Sequence, residues 1–284
     1  MATEEHKYLS NFLKDVHLAL RESSADIGVD KAWHYHCRNK DVLKTYAQYM
    51  QKLATTHWEK NASDELSSAS SRITWSADFA YKYFINKSYL KQREKEIDIG
   101  NKINIKINNA DELFTKPFKL LDVPIQSDTV IIDNKVIQLK ENSFDIVTFC
   151  FLLEYIPSSE LRIKACEQAY KLLRIGGLLL ISTPDSKHVG ANSKQMKCWR
   201  YTLAIMGFSR IKYEKFKHMH CLAFRKCSNK EVAERWATLH KESYMNYSIH
   251  IPQDFKNKNE CKVTSSSITV EVEDFRELPF NIIS

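Results

Sequence analysis

The chain has 284 residues, with 42 Lys and Arg against 35 Asp and Glu and a formal net charge of +7. That length holds one large domain and a smaller one with a real hydrophobic core, and 43% hydrophobic with 27% charged residues is the composition of a soluble globular protein rather than a disordered chain. No stretch approaches the ~18 apolar residues of a membrane span, no five basic residues run together as in a nucleic-acid tail, and seven cysteines without paired spacing argue against a disulfide framework and for reduced thiols.

The first residues, 1–15, are polar and mixed in charge, so the expectation is a cytoplasmic protein without a secretion signal. Leu9, Phe12, Leu13, Val16 and Leu20 recur at helix spacing, and so do Val42, Tyr46, Tyr49, Met50 and Leu53. Trp33 and Trp58 add bulk for helix packing. Residues 61–71 are small and polar and read as a loop. A third helix is expected over 72–84, carrying Trp75, Phe79, Tyr83 and Phe84. These elements form a helical N-terminal domain, residues 1–86. Residues 87–116, rich in Lys, Asn and Glu, read as a connector whose helical start ends at about Ile97.

From Lys119 the pattern changes. Leu120–Val123 is a short apolar run. Phe144–Cys150 opens a nearly continuous one, as in a strand buried on both faces of a parallel sheet. Pro157, Ser158 and Glu160 start a helix with Leu161, Ala165, Cys166, Ala169, Leu172 and Leu173 on its apolar face. Gly176 and Gly177 are expected to stop it, and Leu178–Thr183 forms the next buried strand. Met196, Trp199, Leu203 and Met206 mark another helix ended by Gly207. The last two strands, 208–216 and 218–225, are joined too tightly for a crossover and must pair antiparallel. Alternation of strand and helix makes the fold class α/β, and the closing antiparallel hairpin separates a methyltransferase-type sheet from a dehydrogenase-type one. Residues 117–227 form this domain. After it, 228–284 read as a polar, partly disordered tail.

The segments DKAWHYHC (Asp30–Cys37), RITW (Arg72–Trp75), LLDV (Leu120–Val123), FDIVTFCFLLEYIPS (Phe144–Ser158), GGLLLISTPDSKH (Gly176–His188) and FKHMHCLAFRK (Phe216–Lys226) resemble the Samtor family. These are S-adenosylmethionine sensors upstream of the TOR kinase complex, and the family is in turn similar to fungal ribosomal-RNA adenine methyltransferases. The resemblance implies a helical domain packed on a class I methyltransferase-like Rossmann domain. It also implies S-adenosylmethionine (SAM) binding and control of TOR signalling through the GATOR and KICSTOR complexes. An arginine matching Arg72 helps hold the ligand in such relatives, and the residue matching Cys150 lies beside it.

The sequence departs from that pattern in one region. The fold's first strand, here ending at Asp122, normally leads into a glycine loop and then to a ribose-binding acid. None of the six glycines lies between Leu120 and Phe144, and only 22 residues separate Asp122 from Asp145. The domain therefore reads as shortened between its first and fourth strands, either as an abbreviated form of a complete sensor or as a divergent member with a reduced site. Asp133 is a candidate substitute for the ribose ligand, against its ordinary reading as a solvated loop residue. The candidate cofactor-binding residues are thus Arg72, Asp122, Asp133 and Cys150. With the donor's clamps lost, orientation for methyl transfer is lost too, so a sensor is the first reading. An rRNA adenine methyltransferase with an RNA partner is the alternative.

His218 and His220 share a strand face and so could meet one metal. No completing ligand stands beside them, and surface or structural roles are the better reading. The same holds for His34, His36 and Cys37. Asp185 ends a strand, where it would either contact ligand or cap the next helix. Glu154 follows the fourth strand, but the Asn/Asp-Pro-Pro motif of exocyclic-amine methyltransferases is replaced by FCFLLEY.

Overall fold

A computed structural model describes residues 3–58, 72–107, 130–132, 135–185, 189–216 and 219–258. Three helices open the chain: α1 (Glu4–Ile27), α2 (Val29–Arg38) and α3 (Lys40–Leu53). Thr3 caps α1 by accepting the His6 N–H, and Asn39 caps α3 by accepting the Val42 N–H, so each helix begins where a side-chain oxygen meets an orphan amide. Gly28, at φ 88°, makes the corner between α1 and α2. The stripe expected on α1 is buried at Leu9, Leu13, Val16 and Leu20, with Leu53 of α3 packed against it. Helix α4 (Arg72–Ala80) runs into a wide π turn, Tyr81–Ile85, and α5 spans Tyr89–Lys102, beyond the expected end near Ile97.

A short antiparallel hairpin, β1 (Val130–Ile132) with β2 (Lys135–Gln138), precedes the main sheet. That sheet holds β3 (Phe144–Cys150), β4 (Leu173–Pro184), β5 (Phe208–Lys215) and β6 (Met219–Lys226) in the order β3-β4-β6-β5. β3 and β4 are parallel and linked through α6 (Ser159–Leu172); β6 runs antiparallel to both β4 and β5, as the tight final connection required. The fold is therefore α/β with a mixed four-stranded sheet. Helix α7 (Val189–Met206) buries Met196, Trp199, Leu203 and Met206, and Gly207, at φ 105°, ends it.

The sheet is covered on both faces. Leu178, Leu180, Cys221 and Ala223 face Trp75, Tyr83 and Phe84 of the α4 segment. Leu179, Ile181, Leu222 and Phe224 face Cys166 of α6 and Trp199 and Leu203 of α7. Adjacent positions pointing to opposite layers explain the unbroken apolar run in β4.

Two expectations need correction. β3 is mostly half-buried rather than buried on both faces, because among the described residues only its β4 edge is paired. Gly176 and Gly177 do not stop α6. That helix ends at Leu172, and the glycines lie inside β4, where the register with β3 is irregular. A Cβ on Gly177 would stand 2.9 Å from the Arg174 carbonyl oxygen and 3.0 Å from that of Asp145, so close backbone approach is what requires glycine there. Beyond Lys226 the chain folds back as α8 (Lys230–Leu239) and then inserts Ile249 and Ile251, both fully buried, into the core.

Arg225 ties the α4–α5 segment to the sheet. Its Nε meets Glu96 Oε2 at 3.2 Å, and its Nη1 donates to the Tyr83 hydroxyl at 2.7 Å and the Gly176 carbonyl at 3.2 Å. Tyr83 donates to the same carbonyl, and Glu96 also accepts the Ser228 N–H. Removing one member of a buried ion pair leaves the other unpaired, at roughly 3 kcal/mol or more. Glu96→Ala is expected to lose about that much in urea unfolding; a loss under about 1 kcal/mol would show the pair to be effectively solvated.

Candidate functional site

Parallel strands with a crossover helix leave a crevice at their carboxyl ends, where ligands of open α/β sheets bind. Here that edge is made by Cys150 of β3, paired with Ser182 of β4, and by the segment 151–158 that leads into α6. The chain turns sharply as it leaves β3. Phe151 adopts φ 56° while donating its N–H to the Ser182 carbonyl at 3.0 Å. A bulky residue in the left-handed region costs of order 1–3 kcal/mol and persists only where its surroundings impose it.

The surroundings are two arginines and a carboxyl. Arg162 of α6 is fully buried and donates to the carbonyls of Leu153, Ile156 and Ile249 and to both oxygens of Asp254. Arg21 of α1 donates to the Glu154 carbonyl at 2.7 Å. Glu154 Oε1 accepts the Thr183 hydroxyl at 2.5 Å, while its Oε2 is buried without a hydrogen-bond partner. Burial raises the Glu154 carboxyl above its ordinary range, against the opposing pull of the Thr183 bond and the two arginines. Tyr155 points the other way. Its ring packs among His17, Trp33, His36 and Tyr46 of the first three helices, and its hydroxyl bonds His36. Burial first, then the Arg21 and His36 charges, lower His17 to about 3, so this packing is between neutral rings at physiological pH.

The helical layer closes the site from above. Arg72, the first residue of α4, lays its guanidinium 4.7 Å from the Phe151 ring centroid, near enough to the Cys150 thiol to draw its pKa down. Trp75, on the same helix, donates to Glu214 of β5 at 2.5 Å and so fixes α4 across the sheet. That bond, with Lys212 and Lys82 nearby, holds the Glu214 carboxyl below its usual value despite partial burial. Burial pushes the Cys150 thiol up, more than Arg72 draws it down. A protonated thiol is not an activated nucleophile.

Two of the four sequence candidates, Arg72 and Cys150, therefore meet at one place although distant in sequence. Asp122 and Asp133 lie outside the described residues. Asp185 takes the Nε2–H of buried His220 at 2.9 Å and pairs with Lys215 at 3.0 Å; His220 Nδ1 accepts from Tyr213 at 2.9 Å. His218 lies outside the described residues. The residues that shape the turn, Arg162 and Arg21, were not singled out from sequence. For Arg162 a signal existed: a charge four residues before Cys166 on the apolar stripe of α6 has to find partners indoors.

No family model matches the chain. It is 32% identical to the protein named S-adenosylmethionine sensor upstream of mTORC1 of Xenopus tropicalis, over 90% of this chain and 78% of that protein. Identity is again 32% to the protein of the same name in Xenopus laevis (91% and 78%) and 28% to that of Danio rerio (90% and 78%). The chain belongs to the family of S-adenosylmethionine sensors upstream of mTORC1. The aligned stretch with the Xenopus sensors, 323 residues, exceeds the 284 of this chain, so these sensors carry inserted positions that it lacks.

A carboxyl whose pKa is raised in the folded state keeps its proton there while the unfolded chain loses it. The folded state then binds more protons than the unfolded one, and stability falls as pH rises from the ordinary glutamate range toward the raised value. Glu154→Gln removes this term and keeps the Thr183 bond. The variant is expected to gain on the wild type between pH 4.5 and 7.5 in urea unfolding; parallel stability curves would show Glu154 to titrate normally.

Proposed function

We propose that this chain is a non-catalytic S-adenosylmethionine sensor acting upstream of TOR complex signalling. The observation that carries the reading is the meeting of Arg72, Cys150 and Phe151 at the carboxyl ends of β3 and β4, between the helical layer and the sheet. The strand order β3-β4-β6-β5, with the antiparallel strand inside the edge, supports assignment to the second half of a class I methyltransferase-like sheet.

The residues present suit the ligand. A guanidinium held on an aromatic face is a bidentate partner for the methionine carboxylate. The ligand supplies a transferable methyl group; among the described residues the Cys150 thiol beside the site is held protonated by burial, and binding is read as a signal rather than a reaction step. Occupancy alters affinity for the partner, with GATOR and KICSTOR as the partner complexes, and the coupling is reciprocal: partner binding changes ligand affinity by the same factor. A cytoplasmic location goes with this role. Without a glycine loop the methionine end carries most of the affinity, and Arg72 is its anchor.

Calorimetry of the full chain with S-adenosylmethionine tests the reading. Saturable binding is expected, weakened roughly tenfold or more in Arg72→Ala, as for loss of a charged hydrogen bond. A folded protein that binds nothing would overturn it and leave a ligand-independent scaffold.

A further inference from the structure

The chain returns to the core after α8 as a strap that ends on the turn beside Arg72. Ser248 and Thr202 of α7 exchange two hydrogen bonds: the Ser248 N–H donates to the Thr202 hydroxyl oxygen at 3.0 Å, and that hydroxyl donates to the Ser248 carbonyl at 2.8 Å. The Ile249 N–H donates to Ser159 Oγ, in the first turn of α6, at 2.9 Å. Trp199 of α7 donates its Nε1–H to the His250 carbonyl at 2.8 Å. The strap closes in a 3-10 turn, Pro252–Lys258, where Asp254 Oδ2 accepts the Ile251 N–H at 3.0 Å.

One guanidinium joins this strap to the turn after β3. Arg162 Nε donates to the Leu153 carbonyl at 2.9 Å and to the Ile156 carbonyl at 3.0 Å. Its other nitrogens meet the strap. Nη1 donates to the Ile249 carbonyl at 3.0 Å and to Asp254 Oδ2 at 2.6 Å, and Nη2 donates to Asp254 Oδ1 at 2.9 Å. Arg162 is fully buried and the Asp254 side chain is 15% exposed.

A guanidinium is flat and rigid, so its donors move as one body. The two-pronged pairing with Asp254 fixes that plane, and the plane fixes where the carbonyls of Leu153 and Ile156 lie. Without the carboxylate the buried cation loses its counter-charge and has to turn toward water or another acceptor. Both carbonyls are then released. Phe151, two residues before Leu153, is the ring on which Arg72 rests, and its φ of 56° has to be imposed by its surroundings. Arg21 and the Tyr155–His36 bond still hold the middle of the turn, so losing Asp254 loosens it without unfolding it. We infer that Asp254 is a positioning residue of the candidate ligand site: through Arg162 it holds residues 151–156 against Arg72, so that strap and site are coupled. What the site binds rests on the reading given above; the hold on the turn does not depend on it.

Hydrogen–deuterium exchange and calorimetry of the full chain test the two parts separately. In the ligand-free protein, Asp254→Asn is expected to speed exchange across residues 151–156 about tenfold and to leave β6 unchanged. Asp254→Glu, which keeps the charge, should restore part of the protection. Affinity for S-adenosylmethionine should fall about tenfold in Asp254→Asn and less in Asp254→Glu. Coupling is reciprocal, so saturating ligand should slow exchange in residues 249–254 of the wild type. Val232→Ala, a cut in buried α8, controls for general destabilisation and should alter neither the turn nor the affinity. Unchanged exchange at 151–156 in Asp254→Asn, or acceleration spread evenly over the fold, would overturn the inference. So would a loosened turn with unaltered affinity, or the same changes in Val232→Ala. A folded wild type that binds no S-adenosylmethionine refutes the ligand reading instead, and the positioning role is then decided by the ligand-free exchange alone.

Discussion

A guanidinium taken out of solvent needs acceptors inside the fold, and Arg225 finds them in both halves of the molecule. Glu96 comes from α5, Tyr83 from the turn after α4, and the Gly176 carbonyl from the irregular start of β4. Burial alone would lower its pKa, yet Tyr83 and Glu96 outweigh that and raise it. The consequence is positional. With α5 and the π turn held to β6 and β4, α4 has to cross the sheet where Trp75 reaches Glu214, and its first residue, Arg72, comes to rest over the end of β3. The candidate site is in this sense a product of a charge buried elsewhere.

The segment after β3 is constrained from the other side. Arg162 and Arg21 take up carbonyls of the turn, and Tyr155 is enclosed by rings from three N-terminal helices. One short stretch, residues 151–156, thus touches Arg72 at one end and the first helices at the other. Its non-glycine left-handed residue and its buried unsatisfied carboxyl oxygen are costs that the packing around it sustains.

The periodic elements were legible because each buries one stripe. Leu9, Leu13, Val16 and Leu20 of α1, and Met196, Trp199, Leu203 and Met206 of α7, sit where helix spacing placed them. The closing antiparallel pair followed from chain length alone. What escaped was non-local. Gly176 and Gly177 read as a helix stop, because nothing in the local sequence shows that the Asp145 carbonyl will crowd a Cβ there. Ile249 and Ile251 lie in a polar stretch whose average hides two core positions. At the site, resemblance singled out Arg72 and Cys150. Of the arginines that shape the turn between them, Arg162 was open to reading as a charge on an apolar stripe, whereas Arg21 reaches the Glu154 carbonyl from another domain of the sequence, and spacing carries no trace of that.

The central claim is that ligand binds between α4 and the carboxyl end of β3. Hydrogen–deuterium exchange of the full chain, with and without saturating S-adenosylmethionine, tests this most directly, because it reports where protection arises rather than whether heat is released. The account requires slower exchange in the first turn of α4 and across residues 150–156 together. Protection confined to other elements, or none at saturation, would contradict it.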